Sequence, residues 1–226
     1  TLDSFLFSPV FKPVCKNKVC YEHLILGKKY DVEKLVQVTG GNCTNVAVTL
    51  SRFGIKNVSM VTILGDDPAG KAVASELISE GVDMSMVLRG TDFITSQSTI
   101  MVSPDGERTI LNYRGTDMKK YETNLNLNKI DSKWIYASSV NSPSILLRLM
   151  MLCRDKGLSL AFNPSSWEVA NTPEASAQAA LALLPDADCL LVHFDVDVID
   201  FTDAPLSENT GRNEGLTLDQ ALAALR

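Results

Sequence analysis

Val38-Thr39-Gly40-Gly41-Asn42-Cys43-Thr44-Asn45 runs directly into Val46-Ala47-Val48-Thr49-Leu50-Ser51-Arg52-Phe53-Gly54. Two glycines ahead of a helix N-terminus let the backbone approach a ligand, and the N–H groups of the first turn favour oxygen-rich or anionic groups. Asn45 can hydrogen-bond hydroxyls there. The same residues also describe a plain glycine turn, with Thr44 or Asn45 capping a helix over residues 45–53.

Outward from this turn, β-branched apolar segments alternate with helical patterns, the sign of β-α-β units around a mostly parallel sheet. Strands are expected over residues 58–64, 98–102, 108–113, 134–138, 158–162 and 189–194, and helices over 69–80, 144–156, 174–184 and 218–225. Ser103-Pro104-Asp105-Gly106-Glu107 is a hairpin turn, since proline presets one φ and glycine tolerates a positive one. Residues 5–38 offer short strand-like pieces and Lys-rich turns, which predicts a small β flap beside the main sheet. The expected class is therefore α/β, an open and mostly parallel sheet with helices on both faces plus an N-terminal β flap.

The 226 residues carry 45% hydrophobic and 21% charged side chains, ordinary for a folded domain, and no apolar run approaches a membrane span. A net charge of −6 argues against nucleic acid and anionic membranes as partners. The protein is expected to be cytoplasmic, and position 1, Thr1 rather than methionine, does not read as a natural start. Cys15, Cys20, Cys43, Cys153 and Cys189 are scattered without zinc spacing and are expected to be reduced, mostly buried thiols. Charge is uneven: residues 1–171 hold 19 Lys+Arg against 17 Asp+Glu, whereas residues 172–226 hold two arginines against 10 acids. Such a shift marks either a domain boundary or two Ala-rich helices.

Several motifs in order carry a resemblance. Gly40-Gly41-Asn42-x-Thr44-Asn45, Leu64-Gly65-Asp66-Asp67-Pro68-Ala69-Gly70, Glu80-Gly81-Val82-Asp83, Gly106-Glu107-Arg108-Thr109 and Asn163-Pro164-Ser165-Ser166 together resemble the ribokinase-like (PfkB) carbohydrate and nucleoside kinases, over residues 1–171. The resemblance implies a sugar or nucleoside as ligand. Asp3 would present a carboxylate to substrate hydroxyls, Gly40, Gly41, Asn42 and Asn45 would line the sugar site, and residues 5–38 would form the β lid. Asn163 would face the cleft from a strand end, and Arg114 either approaches that cleft or is a surface arginine. Pairing of the lids would give a homodimer. ATP and Mg are implied as cofactors, but the family's Asp-Thr-x-Gly-Ala-Gly-Asp stretch does not occur in these residues, so no catalytic residue is assigned.

Residues 189–200, Cys189-Leu190-Leu191-Val192-His193-Phe194-Asp195-Val196-Asp197-Val198-Ile199-Asp200, read as an apolar strand ending in acids. Asp195 and Asp197 would share one side and either hold a cation or sit in a solvated loop. With Ala204-Pro205 and Gly215-Leu216-Thr217, the stretch resembles the second metal motif of arginase/agmatinase ureohydrolases, implying Mn at Asp195 and Asp197. The only histidines, His23 and His193, stand outside that family's upstream ligand motifs. Together the two resemblances read as a chimera joined at 171–172, retaining substrate binding at most. A Mn-dependent C–N hydrolase and a non-catalytic α/β module are the alternatives.

Overall fold

The computed structural model describes residues 1–16 and 19–165, of residues 118 and 119 the backbone alone. The chain divides into two compact units, Thr1–Val14 with Tyr21–Asp131, and Cys15–Cys20 with Ser132–Arg226. The helices and strands expected beyond residue 165 lie outside the described residues.

In the first unit, β1 (Leu2–Phe7) is followed by the ribbon strands β2 (Pro13–Lys16) and β3 (Val19–Glu22), the latter two straddling the division between the units. Then come β4 (Lys34–Thr39), α1 (Asn42–Arg52), β5 (Ile63–Gly65), α2 (Pro68–Ser79), β6 (Leu88–Gly90), β7 (Gln97–Val102) and β8 (Arg108–Tyr113). Two 3-10 turns, Met118–Asn124 and Leu127–Lys129, close it. The second unit contains β9 (Trp134–Ser138), α3 (Pro143–Lys156) and β10 (Ser159–Asn163).

The α/β class holds, and its parallel pairs are built as expected: β5 and β6 lie parallel across α2, and β9 and β10 lie parallel across α3. A parallel pair needs such a crossover, because a tight turn only reverses the chain. The largest sheet departs from the mostly parallel expectation. Its order is β4-β1-β7-β8, with β1 and β7 parallel and the outer pairings antiparallel. The reason is local: the Pro104-Asp105-Gly106 turn makes β7 and β8 a hairpin, and residues 8–33 return the chain alongside β1. The expected β flap therefore supplies only two strands of a larger sheet, and 97–113 supply the other two.

The core of the first unit lies around α2. Ala69, Gly70, Val73, Ala74 and Leu77 are buried, a stripe at helical spacing, and Val73 and Leu77 are fully enclosed among Ala47, Met60, Leu64 and Val82. Asp67 caps this helix ahead of Pro68 at the first position. Its carboxylate accepts from Gly70 N–H (2.7 Å) and from Thr95 N–H (2.8 Å), tying the helix to the segment before β7.

Partial burial pushes the Asp67 carboxyl upward, but the Thr95 and Gly70 N–H donors outweigh it and hold the group below the ordinary aspartate range. A folded-state value below the unfolded one gives stability that is present above the unfolded aspartate range and lost as pH falls through the folded value. Asp67→Asn is therefore expected to lower the urea midpoint at pH 7 while narrowing the difference between pH 7 and pH 3. Equal pH dependence in variant and parent would refute this role.

The cysteines correct one expectation. Cys15 and Cys20 are exposed and joined in a disulfide, because the β2–β3 ribbon brings their Cα atoms to 3.9 Å. Cys43 is half-buried and Cys153 buried, both as thiols. Among the described residues no helix is long and apolar enough to cross a membrane.

Candidate functional site

One edge of the four-stranded sheet collects most of the residues singled out by sequence. β1 and β7 begin there, β4 and β8 end there, and α1 starts from the turn that leaves β4. Asp3 lies in β1 opposite Val38 on one side and Ser98 on the other, and Ser98 lies opposite Asn112. Partners in register share a sheet face, so Asp3, Ser98 and Asn112 form one polar row.

Gly40 and Gly41 serve different physical ends. A Cβ on Gly40 would stand 1.8 Å from Asp3 Oδ2, so the Asp3 carboxylate occupies the space that any side chain at position 40 would take. Gly41 has φ of 97° and is the N-cap of α1, a conformation that L side chains rarely adopt. The helix thus begins at Asn42 rather than Asn45, and neither Thr44 nor Asn45 caps it. Thr44 is instead buried within the first turn, its hydroxyl shared between the carbonyls of Gly40 (2.5 Å) and Gly41 (2.7 Å). Gly41, Asn42 and Asn45 are exposed at this helix start, and Asp3 is half-buried. Asp3 Oδ1 accepts from the Thr1 hydroxyl (2.9 Å), and Gly40 N–H donates to Thr1 O (3.0 Å).

A carboxylate from α2 fixes the turn. Glu76 Oε2 accepts from the N–H (2.9 Å) and the hydroxyl (2.6 Å) of Thr39, the last residue of β4. Sequence reading passed over this residue. Its signal was a charged side chain inside a buried stripe, one position before Leu77. Ser98 and Asn112 were passed over as well, because only strand register aligns them with Asp3.

Arg114 follows β8 at the same sheet edge and is exposed, its carbonyl accepting from the Ser96 hydroxyl (2.5 Å). From β4 to β8 are three strand spacings, about 14 Å, so Arg114 stands at the far end of the row from Gly40. Asn163 ends β10 in the second unit, is exposed, and its amide donates to Tyr136 Oη (3.4 Å). Asp195 and Asp197 lie outside the described residues.

The chemistry available at the sheet edge is hydroxyl recognition. One carboxylate accepts, two exposed asparagine amides both donate and accept, and a glycine backbone permits close approach. Among the described residues no three His, Cys, Asp or Glu side chains converge to hold a metal. The residues gathered at this end of the sheet suit hydroxyls rather than a nucleotide or magnesium.

A family model described as "pfkB family carbohydrate kinase" matches residues 18–194. The chain belongs to the pfkB family. This match extends across 171–172, where a junction was expected, and nothing in the comparisons supports a ureohydrolase-like segment or a chimera. Fructokinase-1 of Oryza sativa subsp. japonica is 30% identical over 138 residues, 58% of this chain and 42% of the rice protein. A fructokinase of Solanum tuberosum is 29% identical over 154 residues, 65% of this chain and 48% of its own. The pfkB chain thus spans about half the length of the curated relatives it matches. Among solved structures, a nucleoside kinase of Burkholderia thailandensis in complex with inosine aligns with TM-score 0.59 at 16% identity, over 80% of this chain and 55% of that one. At such identity the likeness establishes the fold, which is ribokinase-like α/β.

Proposed function

We propose that this chain is the substrate-recognition portion of a pfkB-type sugar kinase, binding a small polyhydroxylated sugar at the edge formed by Asp3, Gly41, Asn42 and Asn45. The observation that carries this is the fit of the Asp3 carboxylate into the space left by Gly40, beside the start of α1. Polyol recognition uses such a carboxylate, because each substrate hydroxyl taken out of water must find an acceptor or donor. The named fructokinases among the relatives favour fructose as the first sugar to try, with ribose and nucleosides next. ATP and magnesium are the family's implied co-substrates, and this chain alone is expected to form no sugar phosphate from them. In this reading the four-stranded sheet serves as a lid over the sugar. Its outer strands β4 and β8 offer the edges through which two copies would pair.

A thermal-unfolding scan tests the reading. A ligand selective for the native state at about a hundred times its Kd stabilises by about 2.7 kcal/mol, a midpoint rise of roughly 5–10 °C for a chain this size. Fructose is expected to raise the midpoint, and Asp3→Ala and Asn45→Ala are each expected to remove the rise while leaving a cooperative transition. A transition that no sugar or nucleoside moves, or a shift that survives both substitutions, would refute the assignment.

A further inference from the structure

The β2–β3 ribbon is one of three two-stranded sheets among the described residues, and the one whose strands follow each other without a helix between them. Val14, Cys15, Lys16, Cys20 and Tyr21 are all exposed. An isolated hairpin is marginal in water, so its order depends on what else ties its strands together. Here that tie is the Cys15–Cys20 bond. The bond closes a loop of sequence separation 5, which by chain entropy is worth about 2 kcal/mol, less than a longer loop would give. It is also open to attack, and the exposed Lys16, next to Cys15 at the end of β2, adds positive charge that favours an incoming thiolate. Exposed disulfides belong to the labile class. Cys153 is the internal contrast, since it is buried within α3 and burial pushes its thiol up, away from the reactive thiolate.

From this geometry we infer that Cys15–Cys20 is a reversible thiol–disulfide exchange site for low-molecular-weight monothiols of the glutathione class, and that its state sets the order of the β2–β3 ribbon. An external thiolate attacks one sulfur of the pair, the Cys15–Cys20 bond breaks, a mixed disulfide forms and the other cysteine leaves as thiolate. A second external thiolate attacks the mixed disulfide, releasing the remaining cysteine and an external disulfide. Two electrons enter the protein, and the two protons lost by the external thiols end on Cys15 and Cys20. The inference does not depend on which substrate the chain binds.

The test equilibrates the full chain with mixtures of reduced and oxidised glutathione at pH 7 in native buffer, counts reactive thiols by maleimide labelling, and follows amide hydrogen exchange. Cys15 and Cys20 are expected to become labelled together in one two-electron step, with Cys153 silent. Amides of residues 14–16 and 19–22 are expected to exchange at least tenfold faster once reduced, while β7 and β8 keep their protection. Cys15→Ser should exchange fast at every poise. Labelling that requires urea, equal ribbon protection in both states, or a Cys15→Ser ribbon as protected as the oxidised one would each overturn the inference.

Discussion

Gly70→Ala is expected to destabilise the chain by about 3 kcal/mol, the top of the usual overpacking range and a large share of the 5–15 kcal/mol of a typical domain, and to lower the thermal midpoint by roughly 6–12 °C. Helix propensity alone gives the opposite sign. Gly70 lies in the first turn of α2, where alanine is favoured over glycine by up to about 1 kcal/mol. Packing decides against propensity. A Cβ at this position would stand 2.0 Å from the Gly65 carbonyl oxygen and 2.6 Å from Thr95 Oγ1, and the first of these is backbone that no rotamer change can move. Thr95 is itself buried, its hydroxyl accepting from Gly65 N–H (2.9 Å), so Gly65, Asp67, Gly70 and Thr95 form one closed knot. Gly106→Ala supplies the control. That glycine has φ of 91° but nothing within 4 Å of its missing Cβ, so its substitution carries only the strain of a positive φ, about 1–2 kcal/mol. Urea unfolding of the two variants separates close packing from dihedral strain. A Gly70→Ala loss no larger than that of Gly106→Ala would mean that the helix start shifts freely and that the knot is not rigid.

That knot also shows where sequence reading reaches and where it stops. The Gly-Asp-Asp-x-x-Gly pattern pointed to residues that matter, and the structure shows why Asp67 is there: as a cap, with its oxygens taken up by backbone donors. Local signals carried far. The Pro-Asp-Gly turn, the strands at 108–113 and 134–138, and α3 with its closing Gly157 emerge where periodicity and turn chemistry place them. β4 was not legible, because Leu35 and Val36 stand side by side and blur the alternation of a half-buried strand. β6 is three residues long and offers no period to read. α1 begins three residues early because a glycine with positive φ, not an asparagine, holds the cap position. At the site, Asp3, Gly40 and Asn45 were legible as residue types in order. The row joining Asp3 to Ser98 and Asn112 was not, since it depends on β1 pairing with a strand more than ninety residues away, and such register is a tertiary outcome.

Gly40→Ala is expected to cut the sugar-induced rise in midpoint by about half or more, a loss of affinity of at least tenfold, or about 1.4 kcal/mol, at a stability cost of only about 1–2 kcal/mol. The contrast with Gly70 lies in what stands in the way. The three heavy atoms nearest to a Cβ at position 40 are Asp3 Oδ2 at 1.8 Å, Cγ at 2.3 Å and Oδ1 at 2.9 Å, all belonging to the end of one short side chain. Asp3 can turn aside where the Gly65 carbonyl cannot. Turning aside moves the carboxylate off the row it shares with Ser98 and away from the Thr1 hydroxyl, and the acceptor for a substrate hydroxyl goes with it. The two residues are therefore coupled, and a double-mutant cycle measures how strongly. In an Asp3→Ala background, Gly40→Ala meets no carboxylate, and its stability cost is expected to fall to within about 0.5 kcal/mol of zero. A cost that persists in that background would place the obstruction in backbone rather than in Asp3. Retention of the full fructose shift by Gly40→Ala in an otherwise unchanged chain would show that the carboxylate does not recognise the sugar from its place beside Gly40.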